Sequence, residues 1–155
     1  MPQMNPGGKY VFGTSQIGRD GRVRFPDQAV EEYRLTDERF VYLFTGSKST
    51  GGFCVTRRGL LLPSKLGHIL TENPSLLYRT APPGEFIPYK GRAYCWLNIS
   101  PPGIIFLTEP MMAFLEIAPG MALLSIRSSD IAFTMGAKGP LLEKKERFAG
   151  EIPAF

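Results

Sequence analysis

Histidine and cysteine are scarce in this sequence of 155 residues, which has one histidine, His68, and two cysteines, Cys54 and Cys95. Structural zinc sites usually take four Cys or His ligands, and a catalytic nucleophile needs a base beside it. Both cysteines lie in apolar, strand-like segments, which is typical of buried free thiols in a cytoplasmic protein. No paired carboxylates or nucleophile–base set stands out, so we expect no enzyme, no metal and no cofactor. We expect His68 to be structural or solvated.

Long apolar runs are also missing, because proline or glycine interrupts every candidate. A membrane-spanning helix needs about 20 predominantly apolar residues, so we expect no membrane segment. The opening residues, MPQMNPGGKY, contain no apolar core of a secretory signal, which favours a cytoplasmic location. Neither sign of charge is in large excess. The net charge of +4 permits an acidic partner such as DNA but does not require one.

The clearest structural pattern lies in residues 18–44, GRDGRVRFPDQAVEEYRLTDERFVYLF. Within it, residues 22–25 alternate arginine with valine or phenylalanine, which is the period of a half-buried strand. Pro26 ends that strand and suits the start of a short helix, predicted over Asp27 to Tyr33. The apolar residues 40–44 then predict a second strand. The unit is therefore a strand, a short helix and a strand.

The same pattern returns in the second half of the chain, where Gly103 stands at the position of Gly21. With these two glycines aligned, residues 103–126 match 21–44 without a gap, and the apolar pattern and the turn positions agree. An internal repeat of this kind decides the architecture. We predict a first repeat at 9–58, a connector at 59–91, a second and degenerate repeat at 92–140, a C-terminal tail at 141–155, and a second helix at Glu109 to Leu115.

Residues 14–26, TSQIGRDGRVRFP, with the following helix and strand, resemble the AbrB/SpoVT family of swapped-hairpin regulators. Two tandem units in one chain are also distantly similar to the MraZ proteins. The resemblance implies a mainly β protein with short helices, in which the two repeats interleave as one β-barrel about a pseudo-two-fold axis. It also implies a cytoplasmic protein that binds double-stranded DNA and forms homodimers or higher homo-oligomers.

Members of that family place arginines around the Gly–Arg turn against DNA. Arginine suits this role because its guanidinium can bind guanine or phosphate through two hydrogen bonds. The predicted DNA-binding residues are Arg19, Arg22 and Arg24, which match the family positions, with Lys48, Arg57 and Arg58 flanking them.

The second repeat has Ile104 and Phe106 at the positions of Arg22 and Arg24. Its strand is apolar on both faces, so we expect it to be covered on both faces. One chain therefore offers one basic edge.

A second hypothesis is a non-enzymatic interaction or scaffold protein that kept the barrel and lost DNA binding. In that case the alternating arginines are solvated or are paired with Asp27, Glu31 and Glu32. Salt-dependent binding to duplex DNA distinguishes the two hypotheses, because phosphate contacts release counterions.

Overall fold

The computed structural model describes residues 3–4, 10–48, 50–137 and 154–155. Most of the predicted C-terminal tail therefore lies outside the described residues. The strands are β1 (Gln3–Met4), β2 (Tyr10–Gln16), β3 (Arg22–Arg24), β4 (Phe40–Thr45), β5 (Phe53–Thr56), β6 (Ile87–Tyr89), β7 (Arg92–Asn98), β8 (Ile104–Phe106), β9 (Ala122–Arg127) and β10 (Phe133–Gly136). The helices are α1 (Asp27–Tyr33), α2 (Arg58–Leu61), α3 (His68–Thr71), α4 (Pro74–Leu77) and α5 (Glu109–Leu115).

Eight strands form one antiparallel sheet in the order β1-β2-β9-β10-β5-β4-β7-β6, and β3 pairs with β8 as a separate ribbon. The prediction of a mainly β protein with short helices is confirmed, as are both predicted helices. The predicted closed barrel is not seen among the described residues. There the sheet ends at β1 and β6, which are two and three residues long and pair on one side only.

The alignment of Gly21 with Gly103 relates elements of equal length in the two halves of the chain. β2, β3, α1 and β4 fall on β7, β8, α5 and β9 residue for residue, whereas β10 begins two residues before the position that matches β5. The strands then pair across the halves, since β2 pairs with β9 and β7 pairs with β4. Each half therefore completes its part of the sheet with a strand of the other.

The largest core cluster contains the apolar residues that the repeat pattern predicts to be buried. Those with at most 2% of their surface exposed are Val23, Phe25, Val41, Leu43, Ile105, Leu107 and Leu123. Met121, which we also expected in this set, is only half-buried. The strand faces are therefore assigned correctly by the alternation of apolar and polar residues.

The connector packs on the opposite face of the sheet and builds a second core. Its apolar cluster joins residues of β4 and β7 to residues of the connector helices: Phe40, Tyr42, Tyr94, Leu61, Ile69, Leu70 and Leu76. The hydroxyl of Tyr42 donates a hydrogen bond of 2.9 Å to the carbonyl of Leu76 and ties α4 to the sheet. None of the helices in the described ranges is long and apolar enough to cross a membrane.

Candidate nucleic-acid interface

The ribbon of β3 and β8 has one buried face and one open face. Val23 pairs with Ile105 across the ribbon, and both are fully buried. Side chains alternate along a strand, so the neighbouring residues point the other way. Arg22 stands opposite Phe106, and Arg24 stands opposite Ile104. The open face therefore carries two arginines on one strand and two apolar residues on the other.

A tight turn sets the position of the arginines. The amide of Gly21 donates to the carbonyl of Gly18 at 3.0 Å, and the Asp20 carboxylate accepts a hydrogen bond from the Arg22 amide at 3.2 Å. Arg19 is exposed in this turn, shortly before the exposed Arg22. We call Arg19, Arg22 and Arg24 the arginine edge. The structure brings these three predicted site residues together.

The arginine edge has little internal neutralisation. Arg24 forms an ion pair of 3.1 Å with Asp27, and its guanidinium lies 5.7 Å from the centre of the Phe155 ring. Glu32 is paired with Arg127 instead. Within the described ranges, neither Arg19 nor Arg22 has a carboxylate within ion-pair distance. Arg19 and Arg22 are therefore available to bind an external anion.

Lys48 lies toward the same end of the sheet as the arginine edge. Its loop joins β4 to β5, and the carbonyl of Thr50 in this loop accepts a hydrogen bond of 2.8 Å from the Ala137 amide. Gly136 pairs with Leu124, which pairs with Thr14 near the end of β2. Three strand spacings, about 14 Å, separate β5 from β2. Lys48 is thus a flanking charge rather than a neighbour of the arginines.

Arg57 and Arg58 lie at the opposite end of β5 from Lys48 and are not brought to the arginine edge. Arg57 donates to the Tyr33 carbonyl at 2.8 Å and to the Glu38 carboxylate at 2.5 Å, and its side chain is only 14% exposed. Helix α1, which is about 10 Å long, lies between these contacts and Arg24. Arg57 is therefore occupied inside the fold, and Arg58 is exposed at the start of α2.

The expectation that β8 is covered on both faces is wrong. Phe106 is 50% exposed and Ile104 is half-buried. The physical reason is that β8 pairs only with β3 among the described strands, so the ribbon stands outside the main sheet. The sequence analysis did not identify Phe106 as a surface residue. The three apolar residues of β8 give the same sequence pattern whether the outer face of the strand is covered or exposed.

The two cysteines lie inside the fold, whereas the histidine is partly exposed at the surface. Both thiols are buried and free, as predicted, and burial raises the pKa of Cys95 to about 12. His68 Nδ1 lies 2.7 Å from the Tyr89 hydroxyl, which itself donates to Glu72 at 2.7 Å. This chain of contacts fastens α3 to β6, which is a structural role.

Comparison of the chain with protein-family models, curated proteins and solved structures gives no match. The function is accordingly inferred from the residues and geometry of this chain.

Proposed function

We propose that the protein is a DNA-binding regulator of the AbrB-like type that contacts duplex DNA through the arginine edge. The observation that carries the proposal is the position of Arg22. It is exposed on the open face of the ribbon and has no carboxylate partner among the described residues, and Arg19 stands in the same turn. Two unpaired guanidiniums on one edge form the kind of site that binds phosphate or the edge of guanine.

The pairing of the two halves supports the family assignment. The amide of Phe25 donates to the carbonyl of Gly103 at 2.9 Å, and the amide of Leu107 donates to the carbonyl of Gly21 at 2.9 Å. In the repeat alignment Phe25 corresponds to Leu107 and Gly21 to Gly103, so each of these two bonds is the counterpart of the other. Val23 corresponds to Ile105, the residue with which it pairs. Reciprocal bonds around such a pair are expected if two swapped-hairpin repeats surround a pseudo-two-fold axis at the centre of the ribbon.

A two-stranded β-ribbon fits the major groove of DNA, where base edges can be read. On this ribbon Arg22 would reach guanine or phosphate. Phe106, directly opposite, would meet the methyl group of thymine, which is a recognised apolar contact in that groove. The proposal requires no cofactor and no catalytic step.

One chain presents one arginine edge, because the second half places Ile104 and Phe106 at the matching positions. We therefore expect specific recognition to need a homodimer that presents two such edges to two half-sites, in the way that two-fold symmetric proteins read symmetric operators.

The test is a salt titration of binding to a mixed-sequence duplex, followed by fluorescence anisotropy. Wild type should bind at low salt, with affinity falling steeply as salt rises. Replacing both Arg22 and Arg24 by alanine should weaken binding by about 1–3 kcal/mol for each arginine that reads a base. The matched control replaces Arg58 and Lys65, two exposed cations away from the ribbon, by alanine and removes the same charge. Equal weakening by both double substitutions contradicts the assignment of the edge.

A protein-interaction role is the second candidate, and the exposed Phe106 beside Ile104 is the observation that favours it. If wild type fails to bind duplex DNA at low salt, this candidate replaces the first.

A further inference from the structure

A groove of about 540 Å³ lies on the sheet face that carries the connector. It exists because the connector covers only part of that face. The second core cluster takes its sheet residues from β4, β6 and β7. Over β5 and β10 the side chains on this face of the sheet are the buried Cys54 and Thr56 and the half-buried Thr134, which line the groove and are small. A volume of this size is in the range that holds a small organic ligand.

The floor of the groove is polar in composition but internally satisfied. The Thr56 hydroxyl donates to the Ile131 carbonyl at 2.6 Å, and Thr134 Oγ1 lies 3.5 Å from Cys54 Sγ and in contact with the Ser128 hydroxyl. Burial raises the pKa of the Cys54 thiol, which keeps it uncharged near neutral pH. An uncharged floor whose polar atoms already have partners accepts an apolar ligand body without leaving groups unpaired.

Aromatic and aliphatic side chains form the remaining apolar surface. The rings of Phe44 and Tyr94 stack with their centres 5.5 Å apart at an angle of 29°. Leu66 is 47% exposed at the groove, and Ile131 is half-buried there. A flat apolar molecule would cover the exposed parts of these side chains.

The charged side chains that line the groove are basic, and the Glu72 carboxylate lies at its edge against the lining residues His68 and Tyr89. Lys90 and Arg92 line it, and none of the described lining residues is acidic. The Arg92 guanidinium lies 5.6 Å from the centre of the Phe44 ring, donates a hydrogen bond of 3.1 Å to the Thr45 carbonyl, and interacts with the Cys54 thiol. A guanidinium has five N–H groups, so donors remain for a bidentate contact with a carboxylate.

We propose that this groove binds a small aromatic carboxylate, with its ring among Phe44, Leu66 and Ile131 and its carboxylate on Arg92. The proposal does not rest on DNA binding, because none of the three residues of the arginine edge lines the groove. It gives the protein a ligand site on the connector side of the sheet, separate from the ribbon.

Isothermal titration of the full chain with cinnamate tests the proposal, and cinnamamide, of the same shape without the charge, is the matched ligand. Wild type should bind cinnamate with a Kd below about 1 mM and cinnamamide at least about tenfold more weakly. Arg92→Gln should weaken cinnamate by about tenfold or more and leave cinnamamide unchanged. Lys65→Gln, which removes an exposed charge outside the groove, should bind as wild type does.

If Arg92→Gln lowers the thermal midpoint of unfolding, a loss of binding could come from unfolding instead of from the lost guanidinium. A second variant distinguishes these two causes. Thr134→Leu keeps the arginine and fills the floor of the groove, so it should abolish binding of both ligands. The proposal is overturned if wild type binds no cinnamate, if the two ligands bind equally, or if Arg92→Gln or Thr134→Leu binds cinnamate as tightly as wild type.

Discussion

Gly21 links the turn of the arginine edge to the centre of the ribbon. Its φ of 83° lies in the left-handed region that favours glycine, and a Cβ placed there would lie 1.9 Å from the Leu107 carbonyl oxygen. That carbonyl belongs to the residue whose amide bonds the Gly21 carbonyl. The close approach of the two backbones therefore requires glycine, and it fixes where Arg19 and Arg22 begin to project.

Phe25, directly after β3, and Phe106, at the end of β8, are two phenylalanines of the ribbon region that differ in burial. Phe25 is fully buried and packs edge-on against Phe133, with ring centres 5.5 Å apart. Phe25→Ala should lower the free energy of unfolding by about 3–5 kcal/mol, whereas Phe106→Ala, at a half-exposed site, should cost about 1 kcal/mol or less. Urea denaturation measures both. Similar costs for the two variants would show that the buried face of β3 is misassigned.

Both predicted helices have correct bounds, because a proline marks the start of α1 and the repeat alignment carries the bounds of α1 to α5. Pro26 precedes α1, and Thr108 caps α5 by accepting a hydrogen bond of 3.3 Å from the Met111 amide. The three predicted cations of the arginine edge are also found together, because they follow one another along a turn and a strand. The exposure of Phe106 and the groove could not be predicted. Each depends on which faces distant elements leave uncovered, and local periodicity carries no information on that.

Tyr42, which is buried between the sheet and the connector, contributes to the sensitivity of the protein to alkali. Burial raises the pKa of Tyr42 to about 12 from its ordinary value of 10.0. Above pH 10 the unfolded chain loses this proton first, so stability is full below pH 10 and decreases as the pH rises toward 12. Tyr42→Phe should make that decrease shallower, while costing about 0.5–1.5 kcal/mol at neutral pH through the lost bond to Leu76. Urea denaturation across this pH range measures the slope. An unchanged slope would contradict the assignment.

At the scale of the whole molecule, neither half has the strands to finish its own sheet. A chain of residues 1–58 keeps β2 and β4 but lacks β9 and β7, their partners. It also lacks β8, which pairs with β3. We expect this fragment to be unfolded as a monomer. Circular dichroism and analytical ultracentrifugation of the fragment measure this directly. A stable folded monomer would show that the exchange of strands between the halves is not needed for folding.

The pairing of β2 with β9 also has a consequence for synthesis on the ribosome. β2 ends at Gln16, whereas its partner begins only at Ala122, so most of the chain must be made between the two. At the usual rate of elongation, the first long strand therefore waits roughly 5–20 s for its partner. During that interval β2 lacks its partner β9, and its residues Val11 and Phe12, both buried in the finished protein, are without that part of the sheet. We expect such a nascent chain to need a chaperone that holds its exposed apolar strand until β9 has been made.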